Sequence, residues 1–380
     1  MKYIGWFAVW SLLPGLMATS TVSGQSRKGS AGLDLCIAHY NLENLFDTLN
    51  DVRVNDEEFL PHSELAWNSL RYYSKLGKLA KVISGINGGN VPDLMGLCEM
   101  ENEEVLKDLL RQPELRRSSL TFLHCPSNDP RGIDVALLYH KARFKPIARQ
   151  DLTVNLPGDS ASPTRKILLV SGKISSGDTL HILVNHWPSR RGGAEKSAPN
   201  RYAAARTLRK AVDSLLARYG GADRCQIVIT GDFNDTPQDA SIRLVLGADS
   251  TASRGLFHPM ASLDSGSYCY QDRWEWLDQI ILSRCLMPIP LPSASSSSAS
   301  SSVASVYSNP PSKTPKTGGG TKPRNHYLTG SARAVIDSGL VQEEGKFKGY
   351  PYRTYAGNRY LGGPSDHLPV VLKIRCPRCL

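Results

Sequence analysis

Short apolar runs and longer amphipathic runs interleave along this chain. Leu33–His39, Asp93–Glu99, Asp134–Tyr139, Ile167–Ser171, Leu180–Asn185, Gln226–Thr230, Leu277–Ser283 and Pro369–Ile374 have the length and composition of buried strands. Leu65–Ile86 predicts a helix, with Tyr72, Leu76, Leu79, Ala80 and Ile83 on one face, stopped at Asn87-Gly88-Gly89. A second helix is expected from about Glu103. A third is expected over Arg201–Tyr219, with Ala204, Leu208, Val212 and Leu215 aligned and Gly220-Gly221 ending it. Consecutive strands interrupted by helices do not make a simple βαβ repeat. They predict an α/β fold in which two packed sheets are covered by helices.

Two stretches break the pattern. Tyr3–Met17 is largely apolar behind the single charge of Lys2 and leads into small and polar residues, Ala18–Gln25. That profile is the one of a secretory signal, read as residues 1–24, which predicts export to a periplasmic or extracellular compartment. No other stretch is long and apolar enough for a membrane span. Met287–Arg324 carries the serine-rich run Ser293–Ser302 and then Pro-, Lys- and Gly-rich sequence. It cannot bury a core, so it reads as a flexible insertion at about 287–324 within one domain spanning 30–380. The stretch after it predicts one clear strand, too little for a domain of its own.

Composition adds a direction. The chain of 380 residues is 41% hydrophobic and 21% charged, ordinary for a globular protein, with a net charge of +10. Removing Lys2 with the signal takes +10 to +9. This surplus favours polyanionic partners without choosing among nucleic acid, membrane and phosphorylated small molecules. Eight cysteines in an exported chain permit disulfides. Cys36, Cys98 and Cys225 lie in apolar runs and read as buried thiols, while Cys376-Pro-Arg-Cys379 is a weak metal or disulfide signal.

The chemistry sits where strands end. Leu35–Ala38 runs into His39-Tyr40-Asn41-Leu42-Glu43-Asn44, and Leu94–Cys98 into Glu99. Leu180–Val184 runs into Asn185-His186-Trp187, and Ile227–Thr230 into Gly231-Asp232-Phe233-Asn234-Asp235. Trp276-Leu277 precedes Asp278, and Ser365-Asp366-His367 precedes the last strand. Each motif alone suits a turn or a helix cap. All six at strand ends place polar groups on loops that a sheet can hold in register.

These motifs resemble those of the endonuclease/exonuclease/phosphatase superfamily, in the same order and over nearly the whole mature chain. The resemblance implies a four-layer α/β sandwich, two mixed sheets flanked by helices as in deoxyribonuclease I, and a divalent-metal-dependent phosphoesterase. It implies Glu99 as metal ligand supported by Asn41, with Glu43 and Asp366 as further candidates. The expected metal is Mg²⁺, with Mn²⁺ or Ca²⁺ as substitutes. Asp232 and Asn234 would position the attacking water, His367 would pair with Asp278, and His186 would donate to a phosphate oxygen or the leaving group. Asn185 and Arg131, in Asp129-Pro130-Arg131-Gly132, are candidate substrate contacts.

Three functions follow. The first is a secreted, monomeric phosphodiesterase on DNA or RNA, supported by the positive charge and by Arg190, Arg191, Lys196, Arg201, Arg206 and Arg209 near the His186 motif. The second is a phosphatase or phospholipase on inositol or sugar phosphates or sphingomyelin. Tyr350–Tyr360, rich in tyrosine and arginine, is a candidate groove wall for either. The third, an inactive binding module, is disfavoured by the complete motif set.

Overall fold

Strand β1, Leu33–Leu45, shows how the molecule is layered. Its side chains alternate in direction, as in any strand. Leu35 and Ile37 pack with Leu168, Ile182, Val228 and Ile280 of a second sheet. Ala38, Tyr40 and Leu42 instead pack with Leu76, Leu79, Ile83, Val105 and Leu109. The first set faces the space between two sheets and the second faces helices. The computed structural model that shows this describes residues 33–158, 164–289 and 324–377. Residues 1–24, nearly all of the expected insertion and Cys379 lie outside the described residues.

Besides β1, the long strands are β2 (Leu94–Met100), β3 (Leu120–Cys125), β4 (Asp134–His140), β5 (Phe144–Leu152), β6 (Ile167–Ile174), β7 (Thr179–His186) and β8 (Gln226–Asp232). A short hairpin, β9 (Tyr268–Tyr270) and β10 (Arg273–Glu275), precedes β11 (Asp278–Ser283) and β12 (Val370–Cys376). The first sheet runs β12-β1-β2-β4-β3, with His326–Tyr327 and Arg333–Ala334 both pairing on β12. The second runs β5-β6-β7-β8-β11 and continues into two-residue strands at Leu256–Phe257 and Ala248–Asp249. Each sheet has a parallel pair at its centre, β1 with β2 and β7 with β8, and antiparallel neighbours around it.

Helices α1 (Ser69–Gly85) and α2 (Glu103–Arg111) cover the first sheet. Helix α3 (Ala194–Arg218) covers the second through Ala204, Leu208, Val212 and Leu215 against Leu183, Ile227 and Ile229. The result is the expected four-layer sandwich, helices–sheet–sheet–helix. Helix α1 begins after the Asn68 cap rather than at Leu65; the Asn68 side chain accepts from Arg71 N at 3.2 Å. Helix α3 begins seven residues before Arg201 and runs through Pro199. Its first carbonyls are satisfied from within: Ser197 donates to Gly193 O at 2.7 Å and Arg201 to Ala194 O at 2.7 Å. Strands β3 and β5 had no clear apolar run; β5 is an edge strand with mostly exposed or half-buried side chains. Cys36, Cys98 and Cys225 are buried free thiols, as are Cys125, Cys269, Cys285 and Cys376. No helix among the described residues is long and apolar enough to cross a membrane.

Candidate active site

The alternation that builds the inter-sheet core also aims the polar residues. On β7, Ile182 and Val184 face the other sheet, so His186 does too. On β8, Val228 faces inward and Asp232 follows with the same parity; on β11, Ile280 and Leu282 share their face with Asp278. These three strands stay in register at their ends, with His186 opposite Asp232 and Asp232 opposite Asp278. The polar groups thus take the place of apolar ones at one end of the core.

The first sheet reaches the same place by breaking register. The β1–β2 pairing shifts between Asn41 and Leu45, and the β2–β4 pairing between Cys98 and Met100. Leu97 faces the helices, and so does Met100. Unbroken alternation would send Glu99 to the helix side as well. The bulge turns it out to the cleft, with φ at 62°. Glu43, Asn44 and Asn234 also have positive φ, at 47°, 52° and 52°. Left-handed backbone at non-glycine positions is a cost that surrounding contacts must hold in place.

Those contacts are hydrogen bonds between the motifs. Asn41 Nδ2 donates to Glu99 Oε1 and to Asp232 Oδ2, each at 3.1 Å, linking the two sheets. Asn44 N donates to Glu99 Oε2 at 3.0 Å, and Glu43 N to Asn41 Oδ1 at 2.8 Å. Asn234 N donates to Asp232 Oδ1 at 2.9 Å, and Asn234 Nδ2 to Trp187 O at 3.0 Å. His367 Nδ1 donates to Asp278 Oδ2 at 2.6 Å. Tyr268 lies against the His367 ring, centroids 4.8 Å apart. Ser365 Oγ, which accepts from His367 N at 3.1 Å, donates to Asn41 O at 2.7 Å.

The electrostatics separate the groups by role. Burial opposes charge on His367, but Asp278, its hydrogen bond, Asp232 and Asp366 together raise its pKa well above the usual range. Asp278 is pulled down despite its own burial, through His367 and then His39. His186 is pushed far down, first by burial and then by Arg165 and Arg131, so it is neutral. Burial, with the Asp278 and Glu99 charges, pushes Asp232 up to about 6 against the pull of His367.

Glu99, His186 and Asp232 offer ligand atoms within 4.8 Å of one another. His186 Nε2 stands 3.6 Å from Glu99 Oε1 and 3.8 Å from Asp232 Oδ2. Glu99 is the open member, with 17% of its side chain exposed to a cleft of about 740 Å³. The carboxylate oxygens of this group, few in number and with Glu99 open to water, suit a hard divalent cation such as Mg²⁺. Asp232, Asp278 and His367 form a second such group, but both oxygens of Asp278 already face histidines.

Of the residues singled out from sequence, Asn41, Glu99, His186, Asp232, Asn234, Asp278 and His367 come together. Arg131 lines the cleft, 3.5 Å from Asp129 Oδ1. Glu43 and Asp366 also line it: Glu43 Oε2 accepts from Thr354 N at 2.7 Å, and Asp366 Oδ2 from Arg353 at 2.9 Å. Asn185 is a correction. Its parity is opposite to that of His186, and it is fully buried. Its amide is spent on Leu183 O, Thr230 O and the Trp187 indole, at 3.1, 3.3 and 3.2 Å, so it cannot touch a substrate. Three members of the basic run beyond His186 are corrected too, while Arg191 lines the cleft. Arg190 is tied to Asn234 O, Glu275 and Asp239 at 2.8, 2.9 and 3.1 Å. Arg201 is buried 2.6 Å from Asp235, and Arg209 bonds Asp213 at 2.9 Å. In Tyr350–Tyr360, Arg353 and Tyr355 line the cleft, while the Tyr355 hydroxyl donates to Leu65 O at 3.0 Å.

Two residues of the site had no role in the sequence reading. Arg165 is buried beneath it, donating to Asp129 Oδ2 at 2.8 Å and Trp187 O at 2.7 Å. His39 is fully buried, with Nε2 3.4 Å from Asp278 Oδ1. Its parity with Leu35, Ile37 and Asn41 was available; the partner across the sheets was not.

A family model described as Endonuclease/Exonuclease/phosphatase family matches residues 36–309 and 318–376. Among curated proteins none matches by sequence. Among solved structures, the chain is similar to an endonuclease/exonuclease/phosphatase family protein from Bacteroides thetaiotaomicron: 15% identity, TM-score 0.52, covering 91% of this chain and 98% of that one. It is similar to the mannosyl-6-phosphatase of the same organism, at 15% identity and TM-score 0.51 over 90% and 99%. It is also similar to the human Nocturnin catalytic domain with bound sulfate, at 15% identity and TM-score 0.51 over 90% and 93%. At these identities the structures speak to the fold.

Proposed function

Because this chain belongs to the endonuclease/exonuclease/phosphatase family, and is thereby a metal-dependent phosphoesterase, we propose that it is an exported phosphodiesterase that uses Mg²⁺ to hydrolyse nucleic acid. The observation that carries the reading is the His367–Asp278 pair, joined at 2.6 Å across the two sheets, with His367 and Glu99 lining one cleft. Glu99, with Asn41 holding it, is the group that would hold the cation. When bound, the cation neutralises phosphate charge and the charge that builds on the leaving oxygen.

The remaining residues divide the work. Asp232 and Asn234 flank the place of an attacking water; Asp232 accepts its proton more readily than an ordinary carboxylate would. His367, held charged by Asp278, supplies a fixed cation and a proton donor to a phosphoryl oxygen. Neutral His186 offers one N–H to a phosphate oxygen. Arg131, Arg191 and Arg353 line the same cleft and suit the flanking phosphates of a polyanion.

A second reading, a phosphatase for small phosphate esters, has its own support. Arg190, Arg201 and Arg209 are committed to internal partners, which shortens the basic track a long nucleic acid would follow. The deciding assay gives purified mature protein plasmid DNA, RNA, inositol phosphates, a sugar phosphate and sphingomyelin, with Mg²⁺ or with EDTA. Mg²⁺-dependent cleavage of DNA or RNA, depressed by salt, is expected. Hydrolysis confined to the monoesters would replace the nuclease reading with the second. No hydrolysis of any substrate would remove both.

A further inference from the structure

Asp278 is held from both sides, and the established pairing explains only one. Its Oδ2 takes the His367 proton at 2.6 Å. Its Oδ1 is buried without a hydrogen-bond partner, and the nearest candidate is His39 Nε2 at 3.4 Å. His39 lies on β1, opposite Gly96 of β2, and belongs to the other sheet. Its second nitrogen, Nδ1, is also buried and without a partner. A proton on Nδ1 would therefore be an unpaired buried donor and would leave Asp278 Oδ1 an unpaired buried acceptor. One proton on Nε2 relieves both costs. The Cys98 thiol, 3.6 Å from the same nitrogen, is a competing partner. Gly96 makes the arrangement fit: a Cβ there would stand 2.9 Å from His39 Nδ1 and 2.7 Å from Thr230 Cγ2.

We propose that His39 is a positioning residue: its Nε2–H holds Asp278 Oδ1, so that Oδ2 stays aimed at His367 and the two sheets stay locked across the reacting end of the core. The proposal rests on the reading of His367 and Asp278 as the proton-handling pair. His39 touches neither substrate nor metal. Its removal leaves Asp278 free to rotate and the His367 ring free to follow, lowering turnover without altering how substrate is first bound.

Methionine and glutamine have nearly the same bulk, and only glutamine can donate. His39→Met and His39→Gln are compared with wild type and with His367→Gln, using plasmid DNA and bis(4-nitrophenyl) phosphate in Mg²⁺. Thermal unfolding reports whether each variant is folded. His39→Met should lose roughly 10–100-fold in kcat with KM nearly unchanged, as for loss of a carboxylate or imidazole support. His39→Gln should recover most of it. Equal kcat for folded Met and Gln variants overturns the proposal while His367→Gln remains inactive. A fully active His367→Gln instead overturns the site reading on which it rests, and so does a wild type that cleaves neither substrate. A further measurement needs no variant. Ring-nitrogen NMR of the wild-type protein should find a proton on His39 Nε2; a ring protonated only on Nδ1 overturns the proposal whatever the activities are.

Discussion

The two sheets contribute to one cleft in opposite ways. In the second sheet β7, β8 and β11 keep their register to the end, and His186, Asp232 and Asp278 simply continue an inward-facing row. Its carboxylates are almost wholly buried and coupled to histidines. The first sheet bulges at Asn41–Leu45 and again at Cys98–Met100, and holds Glu43, Asn44 and Glu99 in left-handed backbone. Its key carboxylate, Glu99, remains open to the cleft and is held by an amide and a backbone N–H rather than by a cation. In-register burial makes groups whose protonation is set by neighbours, which suits proton handling. A bulged, open carboxylate can be reached from solution, which suits a cation. The comparison predicts that the two halves fail differently.

The largest effects should come from Glu99 on the first sheet and from His367, whose ring is held by Asp278 of the second. Glu99→Ala and His367→Ala should each lower kcat/KM by about 10³-fold or more, given the usual contributions of metal and acid–base groups. The Mg²⁺ dependence should separate them. Glu99→Gln should move the half-saturating Mg²⁺ concentration upward, and high Mg²⁺ should restore part of the rate. His367→Ala should leave the Mg²⁺ midpoint in place. A Mg²⁺ titration in which both variants shift alike would dissolve the division between the halves.

Asn41 joins the halves, since one amide serves Glu99 and Asp232 at 3.1 Å each. Asn41→Ala should lower kcat/KM by roughly 10²-fold, combining lost support of a ligand with a loosened inter-sheet link. Asn41→Asp should do no better, because a third carboxylate replaces the shared donor. Steady-state rates for the two variants check this, and an active Asn41→Asp would mean the donor role is misplaced.

Much of this was legible in the sequence, and the reason is the period of two. Once Ile182 and Val184 are core, His186 faces the core; once Val228 is, so does Asp232. The same rule excluded Asn185, which the motif Asn185-His186-Trp187 had made look like a substrate contact. What period two cannot give is its own interruption. Glu99 reaches the cleft only because of a bulge, and no apolar pattern marks one extra residue. Long-range partners were equally hidden: Arg165 meets Asp129 across 36 positions, and His39 meets Asp278 across 239. Strand β5 escaped because an edge strand needs no apolar face on its open side.

The neighbours Asn185 and His186 turn that lesson into an experiment of intermediate size. His186→Ala should lower activity by roughly 10–100-fold with little loss of stability, because its Nδ1 has no partner to leave behind. Asn185→Ala should do the reverse. It strips three buried partners, Leu183 O, Thr230 O and the Trp187 indole, and should cost about 1–3 kcal/mol. Activity per folded molecule should stay close to wild type. Urea unfolding and rates measured on the same preparations check both halves of the statement.

The smallest effect concerns pH, and it tests whether the second sheet is the acid-sensitive one. His258 is almost wholly buried, its Nε2 2.8 Å from Gln279 Oε1. Gln279 in turn donates to Asp235 O and Trp276 O at 2.7 and 2.8 Å, under the turns that carry Asp232 and Asp278. Burial pushes the His258 pKa down to about 4, from about 6.5 in an unfolded chain. A depressed histidine pKa means that the unfolded state takes up the proton first. The stability tied to neutral His258 is therefore complete above pH 6.5 and is lost as pH falls toward 4. At pH 5 the loss from this group is about 2 kcal/mol. His258→Gln keeps a side-chain amide able to donate to Gln279 but removes the titration. The difference in unfolding free energy between pH 7.5 and pH 5 should be smaller for that variant than for wild type, by about that amount. Equal pH dependence in the two proteins would show that the acid sensitivity arises elsewhere, and the contrast between the sheets would then rest on catalysis alone.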